Sequence, residues 1–99
     1  MKNNKQIHVF AYKFKRPMNM PLVDCRVLPN PYKEGVPDDV LRERVRALPE
    51  FAPLVDRCVN LFNHYEDIGI GCLWGRHRSV AVASEVARIT GATITRVIQ

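Results

Sequence analysis

The apolar and polar positions divide the chain into short strands and amphipathic helices. Residues 6–14 read Q-I-H-V-F-A-Y-K-F, rich in β-branched and aromatic side chains, and predict a strand. Residues 16–21 contain Pro17, Asn19 and Pro21, and predict a loop. Residues 22–28, L-V-D-C-R-V-L, are nearly all apolar, as in a strand buried on both faces. Asp24 and Arg26 are the exceptions, and alternation along a strand would put them on one face. Pro29-Asn30-Pro31 ends the run, because proline donates no ladder hydrogen bond.

Leu41, Val45 and Leu48 then recur at helical spacing, with Arg42, Glu43, Arg44 and Arg46 on the opposite face. This predicts a short solvated helix, capped by Asp38 or Asp39 and broken by Pro49. A second helix is expected from near Pro53, with a core-facing stripe of Leu54, Val55, Cys58, Leu61, Phe62 and Tyr65. Residues 67–72, D-I-G-I-G-C, predict a short strand whose glycines permit close backbone approach. A third helix follows from about His77 to Thr90, with Gly91 as its left-handed terminator. Residues 92–98 alternate as a last strand. The order β-β-α-α-β-α-β predicts an α/β fold: a small single-layer mixed or parallel sheet of about four strands with about three helices. It is read as one domain over residues 1–99, with residues 1–5 disordered and the strand order open.

Composition narrows the class. Of 99 residues, 46% are hydrophobic and 25% charged, which suits a folded domain rather than a disordered chain. The net charge of +5 favours polyanions or phosphorylated small molecules as partners. Cys25, Cys58 and Cys72 form no CxxC pair, so the reading is reduced thiols in a cytoplasm, with no metal and no cofactor. The polar start leads into no apolar run of signal-peptide or membrane-span length, so no membrane partner is expected.

The chemistry concentrates in Gly71-Cys72-Leu73-Trp74-Gly75-Arg76-His77-Arg78-Ser79. A strand, a glycine-containing turn and a helix start together form an anion site, because the first helical turn has unpaired N–H groups and a favourable dipole. Glycine lets the backbone approach a phosphate, and Arg76, His77 and Arg78 add donors. Ser79 can cap the helix or donate its hydroxyl. The alternative is a plain turn followed by a solvated basic face. Neither the Gly-Lys-Ser/Thr ending of the nucleotide-triphosphate loop nor a dinucleotide GxGxxG pattern is present.

Cys72 and Arg78 are separated by five residues and followed by Ser79, which resembles the loop of protein tyrosine phosphatases. There a thiolate attacks phosphorus while the arginine holds the phosphoryl group. Gly71 replaces the histidine usual in that family, and no aspartate acid is identifiable, although Asp24 and Asp67 are available. A small cysteine-dependent phosphatase is therefore the alternative to a non-enzymatic binding module, and a buried strand-end thiol is the plain reading.

Ala11-Tyr12-Lys13-Phe14, Val23-Asp24-Cys25-Arg26-Val27-Leu28-Pro29-Asn30-Pro31 and Gly71-Cys72 with Gly75-Arg76-His77-Arg78-Ser79-Val80 occur in order. Together they resemble the C-terminal domain of the RNase adapter protein RapZ family, over nearly the whole chain. The resemblance implies a regulatory module that senses an aminosugar phosphate, binds small RNA and forms an oligomer. It also implies a stand-alone domain here, without the family's N-terminal nucleotide-binding domain or its terminal basic segment. By position, Gly75, His77, Arg78 and Ser79 would hold phosphate, with Lys13, Asp24, Arg26 and Asn30 as neighbours. Leu73-Trp74 departs from the family's Thr-Gly, which alters the fit to any particular sugar phosphate. Trp74 could stack on a base or sugar, pack internally, or dock a partner protein.

Overall fold

A computed structural model describes residues 3–97 of the chain. Four strands, β1 (Gln6–Ala11), β2 (Leu22–Asp24), β3 (Asp67–Cys72) and β4 (Thr93–Arg96), form one sheet in the order β2-β3-β1-β4. All three pairings are parallel, with Val9 opposite Ile70 and Val23 opposite the same Ile70. Helices α1 (Asp38–Arg46), α2 (Phe51–Leu61) and α3 (Arg78–Thr90) complete the β-β-α-α-β-α-β order expected from the pattern.

The strands put Ile7, Val9, Val23, Ile68, Ile70 and Cys72 into a core shared with Val45, Leu54, Val55, Cys58, Ala81, Val82 and Val86. Helix α3 lies against β3 and β1, and α1 and α2 pack on it. With neighbours on two sides, α3 buries more of its positions than either other helix. Gly91 ends it in the left-handed conformation, φ 75°, its N–H bonded to Ala87 O at 2.8 Å.

The glycines of β3 make room for one aromatic ring. A β-carbon on Gly71 would lie 2.4 Å from Phe10 Cζ, and one on Gly69 would lie 2.6 Å from Leu22 Cδ2 and 3.2 Å from Phe10 Cε1. The Phe10 ring therefore lies across the two glycines and is 1% exposed. One bare stretch of strand seats one large side chain.

Several expected boundaries move. The strand expected over residues 22–28 stops at Asp24, and a short 3-10 helix, Cys25–Val27, follows. The cause is local: the Asp24 carboxylate accepts the Arg26 N–H at 2.9 Å and turns the chain. Asp24 and Arg26 hence face each other across a turn, not along a strand. The first strand ends at Ala11, where Phe14 N–H bonds back to Ala11 O at 3.0 Å. Helix α1 takes Pro37 as its N-cap, so Asp38 and Asp39 sit inside the first turn rather than capping it. Helix α2 starts at Phe51, two residues ahead of the expected Pro53, and Tyr65 falls beyond it and is exposed.

Of the stretch expected to be disordered, residues 1 and 2 lie outside the described residues, as does position 98 of the expected last strand. Asn3 donates its side-chain amide to Thr90 O at 2.8 Å, and Lys5 O accepts from Thr93 N–H at 3.0 Å. Among the described residues no helix is long and apolar enough to cross a membrane.

Candidate functional site

The loop between β3 and α3 is built by its flanks. Tyr12 N–H bonds Cys72 O at 2.9 Å and Lys13 N–H bonds Leu73 O at 3.1 Å, so the end of β1 carries the loop's first residues. Gly75 has φ 68°, and a β-carbon there would meet Phe10 O at 3.1 Å. Conformation and space both demand glycine at that position.

Two arginines hold the loop carbonyls from outside. Arg42 donates Nε and Nη2 to Arg76 O at 3.0 and 2.8 Å, and Arg96 donates Nη1 to Gly75 O at 3.3 Å. In a trans peptide the N–H points opposite to the C=O. The same bonds therefore turn the N–H groups of Arg76 and His77 away from Arg96 and Arg42. Helix α3 begins with His77 as N-cap and has no side-chain cap.

Cys72 closes the inner end. Its Sγ lies 3.2 Å from Ser79 Oγ, and Ser79 is fully buried, so this serine braces the thiol rather than capping the helix. Burial by itself would push the Cys72 thiol up. The Ser79 hydroxyl and the N–H groups of Ser79, Gly75 and Arg76 outweigh that and hold it below the ordinary thiol value. The other two thiols behave oppositely: burial pushes Cys58 up to about 12, and Cys25 also upward.

Arg78 is only 9% exposed. Its Nη1 donates to Leu28 O at 3.0 Å and, more weakly, reaches Arg26 O at 3.5 Å. Among the described residues no carboxylate lies within 4.0 Å of it and no buried side-chain nitrogen lacks a partner. Nε and Nη2, which bond no atom of the described residues, thus reach accessible space. A cavity of about 310 Å³ supplies that space, lined by Asn30, Tyr32, Cys72, Trp74, Arg76, His77 and Arg78.

His77 also lines the cavity, and its Nε2 lies 2.8 Å from Asp38 Oδ1. That bond holds the Asp38 carboxyl below the usual carboxylate range. Among the described residues no three His, Cys, Asp or Glu side chains gather as a metal site.

The fold thus brings Asn30, Trp74, Arg76, His77 and Arg78 of the expected site together around Cys72. It puts others elsewhere. Asp24 and Arg26 form a two-pronged pair, with Arg26 Nη2 to Asp24 Oδ2 at 2.7 Å, and the Arg26 guanidinium lies 3.8 Å over the Tyr12 ring. The Arg26 bonds hold Asp24 below its ordinary range. Exposed Lys13 sits 4.7 Å over the Trp74 ring, outside the cavity wall. Trp74 itself is 49% exposed, edge-to-face with Phe14, and lines both the first cavity and a second of about 470 Å³. The sequence pattern does not mark Tyr32, Asp38, Arg42 or Arg96 as part of this constellation. For Asp38 and Arg96 no local signal exists, because 39 and 21 residues of chain separate them from the atoms they bond.

Comparison with known proteins adds a family. The model of the RapZ C-terminal domain matches residues 4–98. A nucleotide-binding protein of Rubrobacter xylanophilus is 36% identical over 101 residues, covering 84% of this chain and 33% of that protein. One of Acidothermus cellulolyticus is 36% identical over 96 residues, covering 79% and 31%. One of Pelobacter propionicus is 35% identical over 100 residues, covering 83% and 35%. The chain spans about a third of the length of these curated relatives.

Proposed function

Because the chain belongs to the family of the RapZ C-terminal domain, we propose that it is a binding module for a phosphorylated ligand, seated in the loop of residues 71–79. Arg78 carries the reading. A guanidinium nine-tenths buried, without a carboxylate in reach among the described residues, and lining a cavity is matched by an anion. Arg76, His77 and Asn30 surround the same space, Gly75 lets the backbone close on it, and Ser79 fixes its inner wall. The ligand class comprises sugar phosphates, nucleotides and RNA backbone, which share the phosphate group. The relatives' name, nucleotide-binding protein, supports that class, although it describes proteins about three times as long.

Asp24 and Arg26 take a supporting role, since the Arg26 carbonyl lies beside the Arg78 guanidinium. Trp74, with Lys13 above it, forms a wall that a base or sugar ring can stack on.

Calorimetry with inorganic phosphate, a hexose phosphate and adenosine monophosphate tests the reading. Arg78→Gln is expected to weaken whichever ligand binds by more than about tenfold, from the loss of a charge-assisted bond. Equal affinity in wild type and variant, or no heat with any of the three, would overturn it. An RNA ligand has its own mark, a steep loss of affinity with salt as counterions are released.

A further inference from the structure

We propose that Cys72 is a nucleophile and that this chain transfers the phosphoryl group of small phosphate monoesters to water, with His77 carrying the proton. The inference rests on the phosphate-binding reading and adds covalent chemistry to it.

Three separate features meet in one cavity. Cys72 ends the strand and Arg78 opens the helix, and both line the same cavity. A thiolate attacking phosphorus needs this pairing, since the arginine must hold the phosphoryl oxygens over the sulfur. Second, the Ser79 hydroxyl lies 3.2 Å from the Cys72 sulfur, and the nearby N–H groups of Ser79, Gly75 and Arg76 add to it in favouring the thiolate. Cys25 and Cys58 are at least as buried, have no hydroxyl partner among the described residues, and their thiols are held protonated. A thiol kept only for packing needs no donors, and the core supplies no hydroxyl to the other two. Third, Arg78 is buried with no carboxylate in reach among the described residues, which leaves Nε and Nη2 for a ligand.

His77 completes the set. With Nε2 engaged by Asp38 at 2.8 Å, Nδ1 is the ring nitrogen left to exchange a proton. In the first step the Cys72 thiolate attacks phosphorus, an S–P bond forms, and the P–O bond to the leaving group breaks. The imidazolium of His77 gives its proton to the departing oxygen, releasing an alcohol. In the second step neutral His77 takes a proton from water as its oxygen attacks phosphorus. The S–P bond breaks, inorganic phosphate leaves, and thiolate and imidazolium are restored. No oxidant, reductant or further reactant is consumed.

The test pairs binding of inorganic phosphate with turnover of 4-nitrophenyl phosphate and intact-mass detection of phosphocysteine after acid quench. Wild type is expected to release nitrophenol and to show one added phosphoryl group. Cys72→Ser and Cys72→Ala should lose turnover by more than about a hundredfold and show no added phosphoryl group. His77→Asn should slow an alkyl phosphate far more than the nitrophenyl ester, whose leaving group needs no proton, whereas a purely structural role would slow both alike. Phosphate binding without turnover or phosphocysteine in wild type would overturn the inference and leave the binding module standing. Unchanged turnover in both Cys72 variants would overturn it as well. No turnover, together with no binding of inorganic phosphate, hexose phosphate or adenosine monophosphate, would overturn both readings together.

Discussion

Cys72 Sγ and Ser79 Oγ lie 3.2 Å apart across the turn from β3 to α3, and both side chains are buried. The contact ties strand end to helix start, and it biases which protonation state of the thiol the fold prefers. A donor aimed at sulfur favours thiolate, and here the donors prevail over the cost of burial.

Ser79→Ala removes the largest donor and should raise the Cys72 thiol toward its ordinary value. The alkylation rate of Cys72 by iodoacetamide, followed against pH with site assignment by mass spectrometry, should show its midpoint move upward. The linked stability has a definite sign. A thiol lowered in the folded state contributes stability above its unfolded value of 9.0, and that contribution is lost as pH falls through the folded value. Wild type should therefore lose stability relative to Ser79→Ala as pH drops from 9.0 into that window.

Cys58 predicts the opposite limb. Its thiol, pushed up to about 12 by burial, stays protonated in the fold where the unfolded chain would ionise. Its contribution is whole below the unfolded value of 9.0 and drains as pH climbs toward about 12. Urea midpoints across that range should fall less steeply in Cys58→Val, which cannot ionise.

His77 and Asp38 predict an acid-side effect. The hydrogen bond lowers the Asp38 carboxyl, so its contribution stands above the unfolded value of 3.8 and is lost as pH falls through the folded value. His77→Asn should shallow the acid limb of a thermal-melt series. An unchanged limb would count against the pair holding the loop.

Gly71→Ala should be costly, because its β-carbon would stand 2.4 Å from Phe10 Cζ and within 2.7 Å of two further ring atoms. The expected loss is about 1–3 kcal/mol or more, the usual range for overpacking. Pairing it with Phe10→Leu should recover part of that loss, a non-additivity that a double-mutant cycle reads directly. Gly69→Ala should cost less, since the nearest atom is the end of the Leu22 side chain.

Trp74→Ala separates two uses of the exposed ring. If the ring stacks on a nucleotide, affinity for adenosine monophosphate should fall by about 1–3 kcal/mol, as for base–aromatic stacking. Affinity for inorganic phosphate should stay near wild type. Loss of a protein partner in pull-down, with both affinities intact, would assign Trp74 to docking instead.

Much of the fold is legible in the residues themselves. The i, i+4 spacing of Leu41 and Val45, the glycine after Thr90 and the Asp67-to-Cys72 strand each follow from local sterics and the side-chain period. Residues 22–28 are the exception, because Asp24 satisfies the Arg26 N–H itself. Apolar composition does not reveal a side chain that captures its own backbone.

Residues 71–79 mark the candidate loop on their own, since glycine, basic run and helix start are contiguous and can be read without a distant partner. The spacing of Cys72 and Arg78 is equally a property of the chain. Which donors remain free is a matter of packing. Leu28 O occupies one Arg78 nitrogen, Asp38 takes His77 Nε2, and Arg42 and Arg96 turn the loop carbonyls outward. Each of these partners arrives from outside the loop, and the packing of α3 on the sheet and of α1 on α3 sets their distances. Sequence spacing carries no record of that stacking, so the loop can be located by reading while its chemistry emerges only in three dimensions.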